Sequence, residues 1–294
     1  MLGLRTAVVL PVLTSTVVLL ATPCAAFESS DWQLDAGILW DDNINRAKAG
    51  PDVRADSIYS LNLSKSRTYS LTPNARLIVT ANLSGERFQT YTGLGNISAG
   101  AEAVYQYRGS AAFDATTLGL FGRVSTTKYQ TDLRSGASTS FGVSLSQTLT
   151  DRISGFAALA QNKRNANSAV FNTADTSFRM NLDYAWSRTG TLYMGAEYRD
   201  GDIVSTGQSS LENITIAKVF VADDAYTALP FFSYRFGGTT VLSTLGYNWA
   251  LGPKSSVDLS WRWVESTPLL RPTWATSARS YVTNQVGLNY LMRF

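Results

Sequence analysis

Tyr281-Val-Thr-Asn-Gln-Val-Gly-Leu-Asn-Tyr-Leu-Met-Arg-Phe294 is the stretch that decides the fold. Taken backwards in steps of two, it gives Phe294, Met292, Tyr290, Leu288 and Val286, an apolar face. The interleaved Arg293, Asn289, Gly287, Gln285 and Thr283 are polar or small. Period two is the signature of a strand with one face against an apolar medium and the other against water.

This closing strand, with its aromatic last residue and alternating apolar positions, resembles the terminal strand of Gram-negative outer-membrane β-barrels. The resemblance implies that Val286, Leu288, Tyr290, Met292 and Phe294 form the signal read by the barrel-assembly machinery, and that this strand pairs with the first to close a cylinder. Repeated amphipathic strands upstream are the requirement it sets.

Residues 1–26 carry Arg5, an apolar run from Ala7 to Leu20, and Cys24-Ala-Ala26 before polar residues. They predict a secretory signal cut after Ala26, because Pro11, Thr14, Ser15 and Thr16 break the run below the ~18 apolar residues of a spanning helix. Pro23 before Cys24 argues against a lipoprotein. The remainder, 27–294, reads as one domain. Losing Cys24 removes the only cysteine, and the 294 residues hold no histidine, so thiolate metal sites and Ser-His or Asp-His catalysis are excluded. No cofactor is implied, and the reading is not that of an enzyme. With 25 basic and 22 acidic residues, the charge is too balanced for a nucleic-acid partner. A mean hydropathy of −0.05 is what a barrel predicts, since each spanning strand gives only half its residues to lipid.

Walking from the start, Trp32, Leu34, Ala36, Ile38 and Trp40 share one face of a first strand. A second strand carries Tyr59, Leu61 and Leu63, with Lys65 and Arg67 placed below the hydrocarbon at headgroup level. Similar faces recur through Ala75–Leu83, Ile97–Tyr107, Leu118–Val124, Phe141–Leu149, Phe178–Trp186, Leu192–Tyr198, Val241–Trp249 and Val257–Trp263. Phe156, Ala158 and Ala160 do not declare a side. Short connections alternate with longer polar ones, giving an all-β, transmembrane, antiparallel up-and-down barrel of about twelve strands, at roughly 22 residues per strand and connection. Tyr105, Tyr107, Tyr184, Trp186, Tyr247, Trp249 and Tyr290 predict an aromatic girdle at the short-turn rim. A soluble sandwich is the alternative, and the uncovered apolar faces oppose it.

The polar parity supplies the candidate pore-lining set: Asp35, Arg76, Glu102, Arg108, Arg123, Arg179, Asp183, Glu197, Arg199, Asp258, Arg262 and Arg293. Two readings stay open, an arginine-biased lining that favours anions, or opposed charges that pair and fill a narrow lumen. Asp41-Asp-Asn43 is similar to the Asp-Asn step after the first strand in several outer-membrane barrel families, some linked to exopolysaccharide export or surface-lipoprotein delivery. Physically it reads as a strand-end cap. Asp200-Gly-Asp202 and Asp223-Asp224 read as solvated acidic turns rather than cation sites.

The apolar segment Gly207–Gly238 predicts either an inward constriction or an extra hairpin that would raise the count to fourteen, and an extended extracellular excursion is favoured. The functional expectation is a porin-like passive channel in the outer membrane, in contact with its lipid and lipopolysaccharide. An accessory barrel with an occluded lumen, or the pore of an export system, are the alternatives.

Overall fold

The computed structural model describes residues 30–294 except 49, 111, 227 and 228, so the expected signal at 1–26 lies outside the described residues. The first nine strands are β1 (Ser30–Asp41), β2 (Asp56–Thr72), β3 (Ala75–Phe88), β4 (Asn96–Arg108), β5 (Thr117–Tyr129), β6 (Gly136–Thr148), β7 (Ile153–Ala166), β8 (Thr173–Ala185) and β9 (Gly190–Gln208). A short helix α1 (Leu211–Ile216) and a four-residue β10 (Val219–Ala222) precede β11 (Phe231–Gly252), β12 (Ser255–Pro268) and β13 (Tyr281–Arg293).

Each long strand pairs antiparallel with its neighbours, β9 passes directly to β11, and β13 pairs with β1, so twelve strands close on themselves. The seam runs from Gln33↔Arg293 to Asp41↔Gln285, and places Leu34 on Met292, Ala36 on Tyr290, Ile38 on Leu288 and Trp40 on Val286. The apolar parity of the first and last strands therefore falls on one continuous outer face, because directly opposed antiparallel residues share a side. β10 is an addition to the far end of β11 and does not enter the cylinder, so the count is twelve rather than fourteen.

The outer face is exposed and apolar around the ring, through Ile38, Leu61, Leu120, Phe141, Met180, Met194, Leu245, Leu259 and Leu288. A closed sheet satisfies its own backbone groups, which is the condition for surrounding it with hydrocarbon. β7 settles the stretch that declared no side. Its register sets Ala157 on Leu145 and Met180, and Leu159 on Val143 and Phe178. Ala157 and Leu159 thus face outward, while Phe156, Ala158 and Ala160 line the interior. The weak signal arose because this strand's outer face is partly built from Gly155 and Ala157.

At the short-turn rim Tyr105, Tyr107, Trp186, Tyr247, Trp249 and Tyr290 are exposed, and Tyr184 packs edge-on to Trp186 at 6.0 Å. Lys65 stands 4.8 Å over the Trp32 ring and Arg67 5.1 Å over Tyr69, so both cations lie among interfacial aromatics.

Candidate functional site: an arginine-rich lumen beneath a covered mouth

All twelve charged candidates sit on the inward parity of their strands, but they fall into two levels. Near the short-turn rim, Asp35 accepts hydrogen bonds from Gln33 at 3.1 Å and Asn62 at 3.0 Å. Arg76 donates to Gln106 at 2.7 Å, and Arg108 to the Ala112 carbonyl at 2.6 Å. Tyr193 donates to Asp258 at 2.8 Å. Asp183 and Arg293 lie at the same level, close to the ends of β8 and β13.

The second level is halfway along the strands and brings together Glu102, Arg123, Arg179, Glu197, Arg199 and Arg262. Arg123 pairs with Glu102 at 2.8 Å, and Arg199 with Glu197 at 2.5 Å. Arg179 lies 5.1 Å over the Phe156 ring. Arg179 and Arg262 both feel the Glu197 charge, yet neither has a carboxylate within the 4.0 Å of an ion pair among the described residues. Among these six residues four guanidiniums face two carboxylates, and Asp175 brings a further carboxylate toward Arg199 from the extracellular side. One wall beside it is made of Ser138, Ser140, Ala158, Ala160 and Ser177, and the space these small side chains leave is a cavity of about 160 Å³ bordered by Arg123, Arg179 and Arg199.

The long-loop rim is covered. Asp41 faces inward at the end of β1, where its carboxylate accepts from Arg46 at 3.0 Å, Gln285 at 2.7 Å and the Asn43 amide at 2.9 Å. Both members of the ion pair are almost fully buried. Asn43 folds the chain back, accepting from the Ala47 amide at 2.9 Å and donating to its carbonyl at 2.8 Å. Asp42 binds the amide and side chain of Asn284. The Asp-Asp-Asn run is therefore a structural cap, and its partner Arg46, at φ 54°, was not legible as such in the sequence. The loop then crosses to β9, where Asn45 and Thr206 exchange backbone and side-chain bonds at 2.8–2.9 Å.

The segment between β9 and β11 rises past the last rungs of β8 and β12 as an extracellular excursion, and it then folds across the mouth instead of standing free. Its residues Ala225, Tyr226 and Phe231 join Leu39, Ile44, Ile58, Phe88 and Leu94 in one apolar cluster. Asp223 is held by Arg134 of the β5–β6 loop in a bidentate pair, one arm at 2.6 Å, and accepts from Ser233 at 2.6 Å. The Arg134 guanidinium stacks 4.6 Å over Phe171. Burying the apolar side chains of this segment against the loops opposite drives the inward turn. Asp223-Asp224 is thus not a solvated turn. Nor is Asp200-Gly-Asp202, which lies inside β9, with Asp202 bound to Lys218 at 2.8 Å.

Burial by itself would raise the Asp223 carboxyl, but Arg134, Ser233 and the Ala225 amide outweigh it and hold the group below the usual carboxylate range. A depressed native value stabilises the fold above the unfolded value of about 4, and the contribution is lost as pH falls through the native one. Hydrogen-exchange protection of 219–226 is therefore expected to weaken as pH falls below about 4, where the Asp223 carboxylate takes up its proton.

A closed twelve-strand cylinder, an unbroken outward apolar band, an interfacial aromatic girdle and a charged interior together define an integral outer-membrane β-barrel. Its short turns are then periplasmic and its long loops extracellular. No family model matches the chain, and no curated protein matches it. Among solved structures, an outer-membrane channel from Pseudomonas putida F1 is similar with a TM-score of 0.54 at 12% identity, over 93% of this chain and 100% of that one. The KdgM porin in complex with disordered oligogalacturonate gives 0.44 at 12% identity, over 88% and 98%. The NanC porin gives 0.45 at 7%, over 88% and 98%. At these identities the likeness is one of fold.

Proposed function

We propose that the protein is a porin-like passive channel for small hydrophilic solutes, selective for anions. The observation that carries this is the mid-lumen level, where, among the described residues, Arg179 and Arg262 have no carboxylate at ion-pair distance while Glu102 and Glu197 are taken up by Arg123 and Arg199. Of the two readings left open by the sequence, pairing accounts for two arginines and the remaining two bias the potential. Field lines are focused in a narrow low-dielectric passage, so a small excess of fixed charge acts on every ion that enters. Transport is favoured over catalysis because the interior offers charge and hydrogen bonds in layers, with no histidine to serve as a base.

Planar-bilayer recording under a KCl gradient tests this. The reversal potential is expected on the chloride side, and Arg179→Gln and Arg262→Gln are each expected to lower the anion-to-cation permeability ratio about fourfold, since one charge at ~10 Å in wet surroundings shifts the anion about twofold one way and the cation about twofold the other. Cation selectivity in the unmodified protein would overturn the proposal.

A further inference from the structure

Where the extracellular cover joins the cylinder, two glycines face each other. β8 stops pairing with β9 at Asp175↔Gly201, and β12 stops pairing with β11 at Gly238↔Pro268. Gly201 and Gly238 are themselves direct partners in the β9–β11 ladder. Both barrel edges therefore end at one rung. Gly201 has φ +154°, and a Cβ there would lie 2.2 Å from the Ala174 carbonyl oxygen; one at Gly238 would lie 2.6 Å from that of Thr267. Only glycine lets the hairpin leave the wall at this angle.

Beyond that rung the hairpin is a separate two-faced layer. Adjacent residues Ile203 and Val204 are both buried, Ile203 against Tyr234, Phe236 and Tyr281, and Val204 against Tyr129 and Phe171. Its tip lies on the opposite rim, where a Cβ on Gly93 would approach Ala225 Cα to 2.9 Å. Two things fasten the tip: the Arg134–Asp223 pair, and the packing of Ala225, Tyr226 and Phe231 against Leu39, Ile44 and Phe88 at the rim.

We propose that residues 202–237 form a flap hinged at Gly201–Gly238 and latched by Arg134–Asp223, and that its swing opens the extracellular mouth. The proposal rests on the channel reading, since a flap needs a passage to gate. An ion pair is a suited latch: closed, it is well solvated by Ser233, Thr206 and the Ala225 amide, and open, each charge returns to water, so both states are tolerated.

The test uses a chain with Cys24 replaced by Ser and two designs. In Thr131→Cys/Ala225→Cys, whose positions flank Gly93, oxidation is expected to reduce conductance about tenfold or more, with recovery on adding dithiothreitol. In Arg134→Gln/Asp223→Asn carrying Ser233→Cys, maleimide labelling of the otherwise buried position is expected to rise about tenfold over the same cysteine with the latch intact. Heat-modifiable migration on gels confirms folding in each case. If every form is silent in bilayers but Ser233→Cys becomes reactive on unlatching, the flap stands and the channel reading falls. If currents flow, the disulfide leaves them unchanged and the latch variant labels no faster, the flap is overturned while the channel remains.

Discussion

Arg46→Ala is expected to destabilise the folded barrel by about 3–5 kcal/mol, the usual cost of leaving one half of a buried ion pair behind. Asp41 is sealed at the extracellular end of the β1–β13 seam with its carboxylate turned to Arg46 and Gln285. Arg46 also donates to Thr283 on β13 at 3.1 Å. Removing the guanidinium strands a carboxylate in a site that the loop 43–55 keeps from water, and takes away a bond that holds the last strand to the first. Replacing both partners by apolar residues of similar volume, as in Asp41→Leu/Arg46→Met, is expected to cost less than the single change, because no charge is then left unpaired. Urea titration of the folded protein in lipid vesicles, followed by tryptophan fluorescence, gives the comparison. A double variant less stable than Arg46→Ala would show that the polar network itself, rather than the absence of an orphan charge, holds the seam.

The cylinder was legible because lipid imposes a rule on every second residue. In β13, β8 and β1 the rule holds from Val286 to Met292, from Phe178 to Tyr184 and from Trp32 to Trp40, and the register pairs the apolar faces as the alternation requires. It was blurred where small residues relax it, as at Gly155 and Ala157 on β7. It lost all force above the membrane, because there a strand is free to bury both faces. Ile203 and Val204 are consecutive and both buried, a pattern that period two cannot produce, so the sequence between 207 and 238 could be recognised as apolar but not given a direction.

The interior was legible in part for the same reason. Parity puts Arg123, Arg179 and Glu197 inside, but pairing depends on shear and strand order, which bring Glu102 to Arg123 and not to Arg108. Partners contributed by loops were out of reach altogether. Arg134 and Asp223 are 89 residues apart, on loops that emerge from distant parts of the ring, and no local spacing connects them. Arg46 was within five residues of Asp41, and the change of sign after a strand end was the one local signal of their pairing.

The most direct test of the sealed apolar band is an arginine scan of it: Leu61→Arg on β2, Val143→Arg on β6, Met194→Arg on β9 and Leu288→Arg on β13, one outward position from each part of the circumference. Transfer of a guanidinium from water to mid-depth hydrocarbon on the face of such a barrel costs about 2–4 kcal/mol, falling toward the interfaces. Reversible denaturant unfolding in vesicles is therefore expected to show a loss of that order at all four positions. A position among them where arginine is accepted at no cost would mean that this part of the wall does not face lipid, and the closed membrane-spanning cylinder would be contradicted.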